Sequence, residues 1–508
     1  MRVYNKYFNN GYEYLSPKQK TNIEELLSDE MWIISGDFYG IQKFIFEGLS
    51  TKNAAKVLRA KSAYVELFTI TLARYICSKL GISEKNILTT NAGKFEIISS
   101  NKDIKIIEEI QKTIDSFFIK NFYALSSVNI SYVDCKKSDF NKGEYKKLRE
   151  KIAKSIEAKK FEKFDISNLK NPILDYDTNI DNQTLCRICN IRKIDKENCE
   201  ICDMFVKLGQ ILVGNKKSIN SSEDLLINLG DFSIDIELSE RIKSYILKSA
   251  DNKPVTFEDL AKSSCKDLEG GIKALGILKA DVDNMGIFIK DSDVTEHFSN
   301  FELFSKTLDA FFSIYIPNLM SEKYPNTYTV FAGGDDLFLV GAWDSILQLA
   351  REIESEFKKF IKSKDLTISF GISVAKESTP ISYLAEYTES LLESSKELDG
   401  KDSISMFKES VKWGNYKEVF IKLDDVFIDL SKDINTAFLY RLLQFCDMSK
   451  NKHDIENTIW RSKFRYSVSR NNTNLPENSL TVLSESIEKS PSETKMFLSE
   501  FIYKRRDL

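Results

Sequence analysis

Residues 327-TYTVFAGGDDLFLVGAW-343 place two glycines and two aspartates between two apolar, β-prone runs. Glycine pairs suit tight turns, so we expect Gly333 and Gly334 to form the two-residue turn of a buried β-hairpin. Asp335 and Asp336 would then lie at the tip of the hairpin. Because successive strand residues point to opposite faces, we expect unequal roles for the two carboxylates, one a primary metal ligand and the other auxiliary.

The segments around this hairpin predict the order β-α-β-β-α-β. This is the split βαβ, or ferredoxin-like, arrangement on which polymerase and nucleotide-cyclase palms are built. The predicted elements are a strand at 274–281, a helix at about 294–319, the hairpin, a helix at about 343–363, a strand at 366–375, a helix at 380–398 and a strand at 403–407. A palm-type domain is therefore predicted around the two aspartates.

The same order recurs nearer the N-terminus, around a second glycine-containing hairpin at 91-NAGK-94. Its predicted elements are a strand at 31–37, a helix at about 52–80, the hairpin, a helix at about 102–120, a strand at 126–134 and a charged helix at about 142–160. Asp37 ends the first strand of this copy, as Asp281 ends the first strand of the other. The repeated order favours a duplicated domain.

The predicted fold class is α+β, with two ferredoxin-like, palm-type domains, a zinc-binding insertion and a helical C-terminal domain. We divide the 508 residues into an N-terminal extension at 1–30, a first palm at 31–164, an insertion at 165–270, a second palm at 271–414 and a helical domain at 415–508.

The overall charge and hydropathy exclude some classes of protein. The net charge of −4 argues against a free-standing protein that grips nucleic acid by bulk charge, although nucleic acid held in a larger assembly remains compatible. No run approaches the ~18 apolar residues of a membrane-spanning helix. The N-terminus is polar and aromatic and lacks the apolar core of a signal peptide, so we expect a cytoplasmic protein without membrane contact.

Two C-x-x-C pairs in the insertion, 186-CRIC-189 and 199-CEIC-202, are separated by nine residues. The thiolates of Cys186, Cys189, Cys199 and Cys202 can surround one Zn²⁺ tetrahedrally, which leaves no open position and makes the site structural. Redox dithiols or a disulfide pair are the alternative, which a cytoplasmic location disfavours. The remaining cysteines are interpreted as small buried hydrophobic residues; they are Cys77, Cys135, Cys265 and Cys446.

The predicted catalytic residues are three carboxylates. Asp281 ends one strand, and Asp335 begins another after enough chain for a crossover helix, so the topology can bring them together. Converging carboxylates repel each other unless a divalent cation lies between them. Mg²⁺ or Mn²⁺ at Asp281, Asp335 and Asp336 would activate a hydroxyl and stabilise a leaving pyrophosphate. Taken alone, the four residues GGDD are more typical of a solvated β-turn; the palm pattern with Asp281 and Asp283 favours the metal site instead.

Other residues are candidates for contact with a nucleotide. The turn glycines carry no side chain and can approach a triphosphate closely. Lys396 could supply a point charge to the triphosphate, or be a solvated surface lysine. Ser305 could bond the nucleotide, or pack at the edge of the core. The candidates in the second palm are Gly333, Gly334, Lys396, Ser305, Asp283 and Asn284.

Several motifs, in the same order, resemble the large, palm-containing subunit of type III CRISPR RNA-guided effector complexes, in its Csm-type branch. The second palm contributes 276-GILKADVDNMG-286, 331-FAGGDDLFLVG-341, 367-TISFGISVAK-376 and 395-SKELDGKD-402. The first palm contributes 35-SGDFYGIQKFIF-46 and 93-GKFEII-98, and the four-cysteine insertion is similar to the zinc-bearing region of that family.

The resemblance implies that ATP is converted to cyclic oligoadenylate, a second messenger in antiviral defence, when guide RNA in the complex pairs with target RNA. It implies that Asp335 and Asp336 bind the metal, and Asp281 matches a carboxylate of related cyclases. The first palm lacks the acidic pair, so it is expected to be catalytically silent and to help bind a second ATP through Gly93 and Lys94. The implied partners are other protein subunits, guide RNA and target RNA.

The sequence departs from this family at its N-terminus. Many members begin with a histidine-aspartate nuclease domain, whereas only about 30 residues precede the first palm and they contain no histidine. We therefore expect no such nuclease activity, and we expect the isolated His453-Asp454 pair to be a surface feature. The competing functional interpretations are a non-catalytic scaffold of a ribonucleoprotein and a stand-alone diguanylate-type cyclase.

Overall fold

Two β-sheets that each contain the ferredoxin-like strand order form the centre of the computed structural model. The structure describes residues 3–18, 20–47, 49, 53–162, 185–194, 197–214, 216–238, 246, 248, 254–266, 270–430, 434–451, 458–471 and 476–506. The His453-Asp454 pair lies outside these residues. The predicted α+β class is confirmed.

The first palm has the predicted order of elements. These are α1 (Tyr4–Tyr7) in the N-terminal extension, then β1 (Met31–Tyr39), α2 (Ile41–Phe46), α3 (Ala54–Leu80), β2 (Ile87–Asn91), β3 (Lys94–Ser99), α4 (Ile104–Phe122), β4 (Ser127–Cys135) and α5 (Glu144–Phe161). The strands lie in the order β2-β3-β1-β4, and every neighbouring pair is antiparallel. This is the sheet that a split βαβ arrangement produces.

The insertion and the second palm follow. The insertion contributes α6 (Glu200–Ile211), β5 (Ser218–Asn220), β6 (Asp235–Glu237) and α7 (Phe257–Lys262). The second palm contains β7 (Leu275–Val282), α8 (Met285–Asp291), α9 (Phe298–Ala310), α10 (Ile316–Lys323), β8 (Thr327–Gly333), β9 (Asp336–Ala342), α11 (Trp343–Phe360), β10 (Ile368–Ala375), α12 (Ile381–Lys396), β11 (Ser403–Met406) and β12 (Glu409–Lys412).

The second sheet repeats the strand order of the first and extends it. Its strands lie in the order β12-β11-β10-β7-β9-β8, where β10-β7-β9-β8 is the ferredoxin-like part. The sequence does not predict β12, which pairs antiparallel with β11, while β11 runs parallel to β10. The single helix predicted at about 294–319 is interrupted by a π-helical segment, Phe311–Tyr315, between α9 and α10.

In the described residues that follow the second palm, five helices pack around their own apolar core. They are α13 (Trp413–Leu430), α14 (Thr436–Lys450), α15 (Trp460–Asn471), α16 (Glu477–Lys489) and α17 (Pro491–Arg505). Among the helices that the structure describes, none is both long enough and apolar enough to cross a membrane.

The N-terminal extension packs against the second palm, although the first palm follows it in sequence. The ring of Phe8 is fully buried and stacks on Phe304 and Phe360, with centroids 5.6 and 4.7 Å away. The hydroxyl of Tyr7 donates a hydrogen bond to Asp293, with an O–O distance of 2.8 Å. The extension therefore covers part of the helical layer of the second palm.

Arg59 of α3 joins the two palms and the insertion at one buried point. Its side chain is 2% exposed, its Nε donates to the hydroxyl of Tyr328 on β8 at 2.9 Å, and its Nη1 donates to the carbonyl of Gly209 on α6 at 2.9 Å. A Cβ at Gly209 would overlap the backbone of Lys56, so only glycine allows α6 to approach α3 this closely. One guanidinium therefore fixes three parts of the chain relative to one another.

We expect Arg59→Ala to lower the free energy of unfolding by about 2–4 kcal/mol, because it leaves two buried polar groups without their donor. Urea unfolding followed by circular dichroism measures the loss. Arg74→Ala is the matched control: Arg74 lies on the same helix and pairs with Glu84 at 3.1 Å near the surface. An Arg59→Ala protein as stable as this control would contradict the assignment.

Candidate active site at the seam of the palms

The GGDD hairpin turns one residue later than the sequence predicts. Gly333 ends β8 and pairs with Asp336, which begins β9, so the two turn residues are Gly334 and Asp335. Gly334 has a φ of +68°, in the left-handed region that favours glycine. Its backbone N–H donates to the carboxylate of Asp309 on α9 at 2.8 Å. No sequence motif marks Asp309, which the fold brings to the turn from the preceding helix.

The predicted meeting of strand ends places Asp281 directly opposite Asp336. The two residues are partners in the antiparallel register of β7 and β9. The backbone N–H of Val282 donates to the carbonyl of Asp335 at 3.1 Å, which ties the turn to the end of β7. Asp281 and Asp336 are therefore cross-strand neighbours, whereas Asp335 lies in the turn itself.

Two lysines compensate the negative charge of this position. Lys279 on β7 is 4% exposed and contacts the carboxylate of Glu389 on α12. Burial raises the pKa of Asp336, while the charge of Lys279 opposes that rise and Asp335 adds to it. Lys396, the last residue of α12, contacts the carboxylate of Asp281. The ammonium predicted to meet a triphosphate therefore pairs with a site carboxylate here.

The two hairpins meet tip to tip. A Cβ built on Gly334 would lie 3.5 Å from the Cβ of Ala92 in the turn of the first palm. Ala92 and Gly93 both have positive φ and lie between Asn91 and Lys94, which pair across that turn. Phe46 of α2 packs on Phe338 of β9 with a centroid distance of 4.6 Å. The degenerate hairpin is thus part of the same seam.

The registers of the two sheets give an internal alignment of the palms. Asp37 pairs with Lys94 across β1 and β3, as Asp281 pairs with Asp336 across β7 and β9. Lys94 thus occupies the position of Asp336. Lys160, near the end of α5, lies 3.3 Å from the carboxylate of Asp37, which repeats the contact of Lys396 with Asp281. The first palm keeps the strand carboxylate and the helix lysine, and it lacks the acidic pair.

A cleft of about 790 Å³ opens beside the touching hairpins and is lined by equivalent elements of both palms. Residues of α3 and β2 form one wall, and residues of α9 and β8 form the other. Its volume is within the range of small-molecule sites. Gly93, Gly333 and Asp309 are among its lining residues, and Ser305 is half-buried on α9 beside the lining residue Lys306.

Asp283 anchors a loop. Its side chain is fully buried, and one carboxylate oxygen accepts hydrogen bonds from Thr367, Ser369 and the backbone N–H of Asp402 at 2.7, 2.9 and 3.1 Å. The loop after α12 has three consecutive residues with positive φ, namely Gly400, Lys401 and Asp402. Asn284, also with positive φ, precedes α8. Direct nucleotide contact by Asp283 and Asn284 stays a prediction.

The four cysteines of the insertion form a candidate zinc site. Their sulfurs lie within 4.8 Å of one another, and all four side chains are buried. This donor set and spacing fit a tetrahedral zinc ion. In the part of the chain that the structure describes, no other group of three or more potential ligands is gathered so closely. Binding of one Mg²⁺ or Mn²⁺ by Asp281, Asp335 and Asp336 together would therefore require their carboxylates to come closer to one another.

Two positive side chains lie beside the thiolates. Arg192 Nη1 is 3.7 Å from the sulfur of Cys189, and Lys61 of α3 is close enough for Cys202 and Cys189 to affect its pKa. Burial is the largest cause and lowers the pKa of Lys61 to about 8. The four cysteines outside this cluster are buried, as predicted. The candidate zinc site of the insertion thus lies against α3, the long helix of the first palm.

Family models match two parts of the chain. Residues 274–405 match the model described as Cas10/Cmr2, second palm domain, and residues 30–175 match the Csm1 subunit domain B. These parts coincide with the second palm and with the first palm, respectively.

Curated relatives are named CRISPR system single-strand-specific deoxyribonuclease Cas10/Csm1 (subtype III-A). The protein of Methanocaldococcus jannaschii is 28% identical over 455 residues, which cover 71% of this chain and 56% of the relative. That of Streptococcus thermophilus is 26% identical over 485 residues, covering 85% and 63%. The chain therefore spans less than two thirds of the length of these relatives.

Solved structures with the same fold include Csm1–Csm4 cassettes. The apo cassette has a TM-score of 0.72 and 21% identity, over 96% of this chain and 71% of that chain. The cassette in complex with one ATP has a TM-score of 0.69 and 21% identity, over 94% and 70%. The cassette in complex with cA3 has a TM-score of 0.69 and 20% identity, over 94% and 71%.

We expect Lys279→Met to destabilise the protein at neutral pH, because Asp336 and Glu389 lose a buried countercharge. The raised pKa of Asp336 gives the sign of the pH dependence. Ionising such a carboxyl costs folding energy as pH rises from the ordinary Asp pKa through the folded one, and this cost disappears as pH falls. The difference from wild type in free energy of unfolding should therefore shrink as pH falls towards the ordinary Asp pKa.

Lys279→Arg, which keeps the charge, and Lys290→Met, which removes an exposed lysine of α8, are the controls. A Lys279→Met deficit that is independent of pH, or equal to that of Lys290→Met, would count against the role of Lys279.

We expect metal analysis of the purified chain to find about one zinc ion per molecule. Cys199→Ser should lose the ion and lower the melting temperature, whereas Cys446→Ala, which changes a buried cysteine in α14, should keep it. Full zinc content in Cys199→Ser would contradict the assignment. Cysteines that resist alkylation until a reductant is added would instead favour a disulfide pair.

Proposed function

We propose that this chain, a Csm-type relative of Cas10, converts ATP to cyclic oligoadenylate as a subunit of an RNA-guided antiviral defence complex. The observation that carries the proposal is the register pair of Asp281 and Asp336 at a hairpin tip that touches a second, acid-poor hairpin beside a shared cleft. A pair of palms with one acidic tip suits the joining of two nucleotides, one bound by each palm.

The comparisons support the choice of substrate. Proteins of the same fold have been solved in complex with ATP, with pppApA and with cA3, which are a substrate, a linear dinucleotide and a cyclic product of the proposed reaction. Those cassettes also contain Csm4. We therefore propose other protein subunits of the effector complex as partners, with guide RNA bound in the complex and target RNA as its activator.

The proposed reaction joins the 3′-hydroxyl oxygen of one ATP to the α-phosphorus of another. The bond between the α-phosphorus and the bridging oxygen breaks, pyrophosphate leaves, and the hydroxyl proton passes to solvent. Asp281, Asp336 and Asp335 would hold Mg²⁺ or Mn²⁺, which favours the hydroxyl in its ionised form and stabilises the departing pyrophosphate. Their oxygen atoms are the ligands that these hard cations prefer.

The remaining residues of the site position charge. Lys396 would leave Asp281 and contact the triphosphate, so that its positive charge would compensate the substrate instead of the carboxylate. The positive charge of Lys279 acts on Asp336 and limits the repulsion between the carboxylates. Asp309 holds the turn through the N–H of Gly334, which keeps the tip in the conformation that glycine permits.

The first palm would bind the second ATP without supplying a catalytic metal. Gly93 is buried at its turn, and a Cβ there would crowd Ile41, so the tip has little freedom to change. Lys94 at the position of Asp336 offers a positive charge to a phosphate instead of a ligand to a metal. The internal alignment of the two sheets supports this division of roles.

We expect Asp335→Ala combined with Asp336→Ala to abolish oligoadenylate formation, because the proposed metal loses two ligands. The assembled complex is incubated with ATP, Mg²⁺ or Mn²⁺ and matched target RNA, and the products are separated by liquid chromatography and identified by mass spectrometry. Asp424→Ala with Asp425→Ala is the control, since it removes two adjacent exposed aspartates from α13.

Three results would contradict the proposal: no cyclic product from wild type, full activity of the hairpin variant, or a preference for GTP. A preference for GTP would instead favour a diguanylate-type cyclase. A hairpin variant that fails to assemble would point to a scaffold role.

A further inference from the structure

Helix α15 has a charge unlike that of the rest of the chain. Residues 458-TIWRSKFRYSVSRN-471 contain four arginines and lysines and no acidic residue, whereas the whole chain has a net charge of −4. Solvated helices usually mix both signs, because opposite charges four residues apart stabilise the helix. A helix with only positive charges forgoes that stabilisation and presents a concentrated positive field.

The apolar side of α15 is already occupied. Trp460 and Phe464 are 4% and 5% exposed, and Phe464 packs against Phe438 and Phe445 of α14 with centroid distances of 6.4 and 5.9 Å. A helix that lies on a membrane needs such residues free to enter the lipid. Because they are in the core, the exposed side of α15 is not suited to a lipid surface.

Three exposed residues of α15 form what we call the α15 stripe: Lys463, Tyr466 and Arg470. Their spacing of three and then four residues places them in line along one side of the helix. Tyr466 is 61% exposed, and the guanidinium of Arg470 lies 5.9 Å from its ring centroid and donates to its hydroxyl at 2.9 Å. The stripe therefore combines two cations with an accessible aromatic face.

The stripe continues onto the neighbouring helix. Arg441 of α14 donates to the hydroxyl of Ser467 at 3.2 Å, which places a third positive residue beside it. Among the residues that the structure describes, Lys463 and Arg470 form no ion pair. Arg461, by contrast, contacts Glu488 of α16 on the opposite side of α15. Lys463 and Arg470 thus contribute uncompensated positive charge to the stripe.

We infer that the α15 stripe binds single-stranded RNA. Lysine and arginine neutralise phosphates, and an exposed aromatic ring stacks on an unpaired base, the combination found in single-strand binding sites. A duplex keeps its bases stacked and cannot use Tyr466 in this way. The stripe lies on a helix of the C-terminal region and shares no residue with the aspartate hairpin, and only the choice of RNA over DNA rests on the proposed function.

The experiment measures fluorescence anisotropy of a labelled single-stranded oligouridine of about 20 nucleotides with the full chain at about 50 mM salt. Lys463→Gln with Arg470→Gln should weaken binding by about tenfold and reduce the slope of log K against log salt by about 1.4. Arg461→Gln with Arg465→Gln is the matched control: it removes the same charge from other positions of the same helix and should cost less than about threefold.

Variants of Tyr466 distinguish the binding of a nucleic acid from the binding of other anions. Tyr466→Ala should weaken binding by about tenfold, while Tyr466→Phe, which keeps the stacking face, should bind like wild type. Thermal unfolding of each variant confirms that the helix is intact.

Four outcomes would overturn the inference: no binding by the intact chain, equal losses for the two charge pairs, no effect of Tyr466→Ala, or displacement of the RNA by an equal concentration of a glutamate-rich peptide. Tighter binding of a DNA strand of the same length would overturn the assignment to RNA. Oligoadenylate formation is not measured in this experiment, so its result is independent of the proposed catalytic activity.

Discussion

The buried guanidinium of Arg59 is the constraint on which the arrangement of domains depends. Burying a charge without partners costs several kcal/mol, so a residue with 2% exposure needs hydrogen-bond acceptors from the protein. The acceptors of its Nε and Nη1 belong to β8 and α6, so these two bonds form only when the second palm and the insertion lie against α3. The relative position of the hairpin tips follows from that junction, because β8 leads directly to Gly334.

Two lysines compensate part of the negative charge of the candidate site. Lys396 contacts Asp281, the charge of Lys279 acts on Asp336, and Glu389 contacts Lys279 in turn. Such alternation of signs reduces the mutual repulsion of ionisable groups that share a half-buried position. A triphosphate with its metal would therefore exchange partners with groups already present.

The order of elements could be predicted from the sequence, because apolar periodicity and glycine-containing turns are local properties. The position of the turn could not, since it depends on the pairing of Asp336 with Asp281 across two strands. Asp309, Arg59 and Lys279 were missed for the same reason: each acts through a contact with a distant segment. Asp283 has a place in the motif, yet its bonds to β10 and the following loop become visible only in the fold. The cysteine cluster was predictable because its spacing alone indicates the chemistry.

Lys94 and Asp336 occupy equivalent positions but have opposite charges, which makes the two palms unequal. Two identical palms in a symmetric dimer would present the same tip twice, and either nucleotide could be attacked. Here both palms belong to one polypeptide, so a substitution in one copy leaves the other unchanged, and one tip carries Asp336 where the other carries Lys94. The two sides of the candidate site are therefore chemically different, and in the proposed reaction one side would hold the donor nucleotide and the other the acceptor.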